Sequence, residues 1–520
     1  MIALQWLLLM QCFISGTAGA KILIAAPFSG SHYFATSDIG HLLAKQGHQV
    51  TFVAPIIDPR NLMEHENFTL VPPFWKIEGL GGNDAYGCVM SIIESERDDY
   101  LYIDTQAANE VCKKKWEWLY QILINYYTSD QFLQLLMDEQ FDLIVAEDRT
   151  SIPILAVTNN IPLAVYFPEV EYSRTRMAQN LPQFLCSEPS MAIQVYDGEK
   201  PGFWRRLYGI YNLVVGGAKL ISAVETMLKP VYAKYGIKST QSLLEKIQLF
   251  IINDHPAFSF PYQVANNVVQ VGGSSLTEGK PLQGDLKTFV RNQTDPIVYV
   301  SMGTYIDFIW LKWHAILLKV LQESEFSVVL KVNEETQYKL PELSSKFFVS
   351  SWVPQRDLLA SGDITLFISH CGNNGKIETI YYQVPVLCTP TIGEQGINAD
   401  AIKHRGFGEL ILPTKITRET LKRVIDKMIK ENESYREEMS KAVDIFKTDP
   451  ASGQDKLMYY LNLMLKHGNL DHLINQIMMQ QNFLEMYHLD IILFVILSTT
   501  IISYLIFKIV SRVVFIVSFK

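Results

Sequence analysis

The chain has 520 residues, 48% of them hydrophobic and 19% charged, with a formal net charge of −9. That length and apolar content allow more than one buried core, so two domains with apolar ends are expected. The small negative charge and the lack of a long basic run argue against electrostatic nucleic-acid binding. The 6 cysteines are widely scattered, which argues against a disulfide scaffold or a zinc site.

Residues 2–15 form an apolar run leading into Ala18-Gly19-Ala20, the pattern of a secretory signal peptide (1–20), although no Lys or Arg precedes the run. From Lys21 onward short apolar strands alternate with amphipathic helices. Lys21–Pro27 reads as a strand, His32–Lys45 as a helix, and Gln49–Ala54 and Phe141–Ala146 as further strands. Ile297–Met302 opens a second series that continues through Ser327–Val332 and Ile364–Ser369 and ends near Glu409–Leu412. Such alternation marks α/β domains with parallel sheets, here two Rossmann-like, doubly wound domains with a ligand cleft at the carboxyl ends of their strands. The Gly/Ser-rich segment Gly272–Gly279 is the boundary by composition, dividing residues 21–273 from 274–448. Phe74, Trp75, Trp116, Trp118, Tyr126 and Tyr127 suggest an apolar acceptor pocket in the first domain, although core packing explains any one of them better. Phe203-Trp204-Arg205-Arg206 is an aromatic-basic edge suited to a membrane surface or to an interdomain helix.

Near the other end, Ile491–Phe507 is uncharged and just long enough to span a bilayer, giving a transmembrane helix at 489–507. Lys508, Arg512 and Lys520 follow without any acid, so the 508–520 tail is expected in the cytosol and the rest outside it, as in a single-pass type I membrane protein. The sequons at Asn67, Asn292 and Asn432 would then be open to glycosylation, and Cys88, Cys112 and Cys186 are the candidates for any disulfide.

The richest passage runs from Trp352 to Gln395. Ile364–Ser369 reads as a buried strand, His370–Gly375 as a Gly-bearing turn and Lys376–Tyr382 as a helix start. Unpaired N–H groups and the helix dipole at such a turn suit a diphosphate, with His370 as a donor and Lys376 as a nearby cation. Glu378, one turn on, is placed to accept from ribose hydroxyls.

As a whole this passage resembles the signature of the UDP-glycosyltransferase family, of the membrane-anchored animal type, through Phe367–His370, Glu378, Pro385 and Glu394-Gln395. The resemblance implies a GT-B architecture whose last helices, 449–488 here, return to the first domain. It implies that Trp352 stacks on uracil and that Gln355 lies beside the base, with Val353 also among the UDP-sugar-binding residues. His370, Gly372, Asn374, Gly375 and the turn Ser301, Gly303, Thr304 would face the diphosphate, Glu378 the ribose, and Glu394 with Gln395 the sugar hydroxyls. Many members have Ser-Thr where this chain has Gly375-Lys376, and Asp where it has Glu394, so the identity of the sugar is open.

The family's catalytic His-Asp pair falls on His32 and, counting without gaps, on Glu147; Asp148 is one residue off with matching chemistry. A histidine at a strand's carboxyl end can take the acceptor proton if a carboxylate fixes its tautomer. The expected reaction is inverting transfer of a hexose or hexuronic acid from a UDP-sugar to a hydroxyl of a small lipophilic acceptor. No Asp-x-Asp occurs in the chain, so no metal and no cofactor is expected. A catalytically silent lumenal subunit that binds a nucleotide sugar is the alternative. The endoplasmic reticulum is the expected compartment, with the plasma membrane second, and assembly with itself or another chain is left open.

Overall fold

The computed structural model describes residues 19–27, 30–55, 65–74, 120–158, 161–170, 203–204, 217–262, 264–304, 308–311, 313–391 and 394–518. The proposed signal peptide up to residue 18, Cys88, Cys112, Cys186, Trp75, Trp116, Trp118, Arg205 and Arg206 lie outside these residues.

Two all-parallel sheets carry the fold. The first contains β1 (Lys21–Ala25), β2 (Gln49–Val53), β3 (Phe68–Val71), β4 (Leu143–Glu147), β5 (Leu163–Phe167), β6 (Leu249–Ile252) and β7 (Val268–Gln270). Its seven strands lie in the order β3-β2-β1-β4-β5-β6-β7. The second contains β8 (Ile297–Ser301), β9 (Ser327–Lys331), β10 (Phe347–Ser350), β11 (Ile364–Ser369), β12 (Val386–Cys388) and β13 (Gly408–Leu410). Its six strands lie in the order β10-β9-β8-β11-β12-β13. The expected class, two doubly wound α/β domains, is therefore the one observed. Every residue of β4 and of β8 is buried, as parallel strands covered by helices on both faces must be.

Alternate residues of each strand enter different cores. Leu23, Ala25, Ile144, Ala146 and Val165 pack on one face of the first sheet, and Ile22, Ile24, Leu143, Val145 and Ala164 on the other. Tyr126 and Tyr127 belong to the first of these cores, where Phe74 stacks on Tyr126 at 4.7 Å, so these aromatics build the wall of the domain. Phe203 and Trp204 are exposed.

The helices that matter for the site are α1 (Ser31–Lys45), α2 (Asp148–Val157), α3 (Gln355–Ala360), α4 (Asn373–Tyr381) and α5 (Gln395–His404). Further on, α6 (Gly453–His467) buries Leu457, Leu461 and Met464 against the first sheet's core, so the chain crosses back after the second sheet is complete. Crossing is not confined to the Gly272 segment. Ala257 and Phe258, between β6 and β7, pack into the second domain's core.

The last helix, α7 (Leu489–Ser518), has 30 residues and is long and apolar enough to cross a membrane. It does not end at Phe507 as the charge pattern led us to expect. An α-helix rises ~1.5 Å per residue, so α7 exceeds a hydrocarbon core of ~30 Å and carries Lys508 and Arg512 within its final turns.

Candidate active site

In an open parallel sheet a crevice forms where the strand order reverses, and ligands bind there. The first sheet reverses between β1 and β4, the second between β8 and β11.

At the first of these points Ala25 is in register with Ala146, which brings the chain after β1 and the end of β4 to one edge. His32, in the first turn of α1, is 9% exposed, and its Nδ1 lies 2.7 Å from Oε1 of the fully buried Glu147. Oε2 of Glu147 accepts the Arg149 N–H at 2.8 Å and so caps α2, which fixes the carboxylate. Of the two carboxylates the sequence left open, Glu147 is the one on the imidazole, while Asp148 begins α2. A strand end is a fixed point, whereas the next residue already follows the helix.

Two charged groups that sequence reasoning did not find complete this corner. Glu169 Oε2 is 3.3 Å from His32 Nε2, and Arg149 Nη2 is 3.3 Å from the same nitrogen and 3.4 Å from Glu169 Oε2. Burial and the Arg149 charge push the imidazole pKa down, but hydrogen bonds to Glu147 and Glu169 outweigh them and the net shift is upward. For Glu169 burial acts upward, and Arg149 and His32 outweigh it, holding its carboxyl at about 2. No sequence motif marks either residue; the signal is a charge just past a fully apolar strand, and it becomes legible only once β5 is known to lie beside β4.

At the second point Ser369 pairs with Ser301, which places the turns after β8 and β11 side by side. Ser301 Oγ accepts the Gly303 N–H at 3.3 Å, and the Gly303 carbonyl accepts from Lys331 Nζ at 2.6 Å, with Thr304 next in the turn. The His370 ring is wedged between two glycines. A Cβ on Gly303, whose φ is +81, or on Gly372 would come within 2.6 Å of ring atoms, so no larger residue fits either place. Burial, then the Lys331 charge, pull the His370 pKa down to about 4, so the ring is neutral near pH 7. Cys371 is disulfide-bonded to Cys388 at the end of β12, a pairing outside the candidates above.

Helix α4 starts at Asn373, capped by Gly372, three residues before the expected start, so Asn374 and Gly375 lie in its first turn. Asn374 Oδ1 accepts from Asn253 Nδ2 of the first domain at 2.9 Å. Lys376 is not a phosphate-side cation. Its Nζ turns inward, 2.6 Å from Ser259 Oγ and 3.4 Å from Asp254 Oδ1, with both members of the ion pair fully buried.

Glu378 accepts from Gln355 Nε2 at 2.7 Å and from Arg356 Nε at 2.8 Å, and Arg356 Nη2 reaches Asp38 of α1 at 3.1 Å. Trp352 is 46% exposed and meets Phe34 of α1 edge-on at 6.4 Å, whereas Val353 lies in the core. Glu394 caps α5, and burial, then the charge of Glu169 of the first domain, push its pKa up. Gln395 Oε1 accepts from the Thr391 N–H and Oγ1, both at 2.8 Å. Among the described residues no group of three or more His, Cys, Asp or Glu could hold a metal ion.

The sequons lie away from the cleft. Asn292 is exposed at a helix end, Asn67 is half-buried, and Asn432 uses its Nδ2, the atom a glycan would occupy, to donate to the Thr365 carbonyl at 2.7 Å.

Two parallel sheets that face each other through their switch points, one bearing a histidine–carboxylate pair and the other an anion-suited turn, define a glycosyltransferase of the GT-B class. Solved structures share this fold. A UDP-glucosyltransferase from Polygonum tinctorium superposes with a TM-score of 0.58 at 13% identity, covering 86% of this chain and 98% of its own. The glycosyltransferase VinC, solved with dTDP, gives 0.55 at 16% identity, covering 86% and 100%. Residues 20–518 match the family described as UDP-glucoronosyl and UDP-glucosyl transferase, and the chain belongs to that family. UDP-glucuronosyltransferase 3A1 of Bos taurus is 25% identical, over 95% of this chain and 94% of its own length. UDP-glycosyltransferase UGT5 of Dactylopius coccus is also 25% identical, over 90% and 87%.

Proposed function

We propose that the protein transfers a hexose or hexuronic acid from a UDP-sugar to a hydroxyl of a small lipophilic acceptor, with inversion and without a metal. His32, oriented by Glu147, takes the acceptor proton on Nε2. The acceptor oxygen forms its bond to the anomeric carbon as the carbon–phosphate oxygen bond breaks, and the electron pair leaves on UDP. The growing charge on the diphosphate would meet His370, the N–H groups in the first turn of α4 and the nearby Lys331. Glu378 would hold the ribose, Trp352 the uracil, and Glu394 and Gln395 the sugar.

The observation that carries this reading is the 2.7 Å His32–Glu147 contact at one switch point, with Glu394 of the other domain close enough for His32 and Glu169 to perturb it. We place the two domains in the lumen of the endoplasmic reticulum, anchored by α7, which has the length and composition of a membrane span.

His32→Ala tests the base. Transfer should fall by about 10²–10⁴-fold while UDP affinity, measured by calorimetry, is kept. Undiminished transfer would remove His32 from the mechanism. Saturating EDTA should leave the wild-type rate unchanged; loss of activity restored by magnesium would contradict the metal-free account.

A further inference from the structure

One side chain of the second domain reaches three separate segments of the chain. Arg356, in the first turn of α3, donates from Nε to Glu378 Oε1 at 2.8 Å and from Nη1 to the Ser275 carbonyl at 3.2 Å. Its Nη2 donates to Asp38 Oδ2 at 3.1 Å and to Ser275 Oγ at 3.4 Å. Glu378 is the carboxylate assigned above to the ribose, Ser275 lies in the segment that joins the domains, and Asp38 belongs to α1, the helix that carries His32. The planar fork of a guanidinium holds two carboxylates at once in a fixed geometry, which the point charge of an ammonium does not. Glu378 also has Gln355 Nε2 on its other oxygen at 2.7 Å, so the arm that reaches Asp38 is not needed to fix the ribose-side carboxylate.

Asp38 does not act alone on α1. Phe34, one turn earlier on the same face, meets Trp352 edge-on at 6.4 Å. One stripe of α1 therefore rests on both residues proposed to hold the nucleoside, directly on the indole and through Arg356 on Glu378. Glu147 sets the imidazole within the first domain, but that pair does not set the distance from His32 to a donor held by the second. Further polar contacts between the domains gather just past β5 and β6, where Lys376 meets Asp254 and Asn373 Nδ2 donates to the Pro168 and Asn253 carbonyls. A joint at one place leaves the lobes free to rock about it, and a second joint on α1 removes that freedom. Asp38 lies ~9 Å along the helix axis from His32, at ~1.5 Å per residue, so α1 passes any slip at this joint to the base.

We propose that Arg356 and Asp38 form a clamp that positions the base for transfer: the guanidinium, seated on the ribose-side carboxylate, sets the register of α1, and with it His32, against the bound donor. This rests on the transferase reading above and adds two positioning residues to it. Neither touches the reacting atoms. Their effect falls on the alignment of nucleophile and leaving group, where a displacement of ~1 Å can cost about 10²-fold in rate.

Full-length protein in detergent micelles is assayed with a UDP-sugar that supports transfer and the best acceptor from a panel of lipophilic phenols and alcohols. The rate constant kcat is expressed per UDP-binding site counted by calorimetry, so that misfolded chains drop out of the comparison. Asp38→Ala should lower kcat about tenfold while Kd for UDP stays within about twofold of wild type. Arg356→Lys should lower kcat to a similar extent, and the double variant should fall no further than Arg356→Lys alone, instead of by the roughly 100-fold that independent residues would give. An unchanged kcat per site in Asp38→Ala, a loss confined to UDP affinity, or additive losses in the double variant would overturn the inference and leave the transferase reading intact. A wild-type protein that binds UDP but transfers to no acceptor would refute both.

Discussion

Lys376→Met keeps the side chain's bulk but removes its charge, and the consequence can be worked out from the buried pair it leaves. The ammonium lies 3.4 Å from Asp254 Oδ1 with no solvent access to either partner. At an effective dielectric of about 20 that separation gives ~5 kcal/mol of Coulomb attraction. Breaking a buried pair from one side costs about 3–5 kcal/mol, because the remaining charge loses its nearest counter-ion. Asp254 still accepts from Ser259 Oγ at 2.5 Å, a hydrogen bond to a charged group worth about 1.5–3 kcal/mol, so the expected loss lies near the lower end.

The pair as a whole contributes far less than that. Burial pulls the Lys376 pKa down in spite of Asp254, the mark of a desolvation cost that the attraction does not recover. Lys376→Met combined with Asp254→Asn should therefore return to within about 1–2 kcal/mol of wild type. Urea unfolding of the detergent-solubilised chain, followed by fluorescence and circular dichroism, measures all three proteins. A single variant within ~1 kcal/mol of wild type, or a double variant as unstable as the single, would refute the reasoning.

Two further outcomes follow from the site. His32 works as a base only when neutral, and its pKa is raised in the fold, so kcat/KM should climb with pH through a limb above the ordinary imidazole value and fall below it. Glu169→Gln removes one of the raising contacts and should shift that limb to lower pH; an unshifted profile would show that Glu169 does not act on the imidazole. Gly303→Ala would set a Cβ 2.6 Å from His370 Cε1 at a φ of +81, displacing the ring from its place between the two turns. UDP affinity measured by calorimetry should drop by about tenfold or more, and an unchanged affinity would mean that His370 does not contribute to the donor site.

What the sequence disclosed and what it hid have different physical origins. The two sheets were legible because a strand buried on both faces must be an apolar run, as at Leu143–Ala146 and Ile297–Val300. The His32–Glu147 contact was foreseeable because Glu147 ends β4 and His32 opens the helix that follows β1, and the ends of both strands are fixed by the same runs. Arg149 and Glu169 could not be read, because their role depends on which strands are neighbours, and order within a sheet is a long-range property. Lys376 misled for a related reason: its spacing places it beside the turn, but α4 rotates it inward to Asp254, over a hundred positions away in sequence. The Cys371–Cys388 bond was hidden by counting all cysteines together, whereas the pairing of Ser369 with Cys388 in adjacent strands brings this pair together locally.

The return of α6 to the first sheet decides which half of the molecule α7 hangs from. A surface that holds α7 holds the His32 half through it, and the His370 half is tied to that half by the chain near Gly272 and before Gly453 and by the Lys376–Asp254 and Arg356–Asp38 ion pairs. Any opening of the cleft would have to part these two ion pairs, so the lobe that carries His370 separates from the anchored lobe only at their cost.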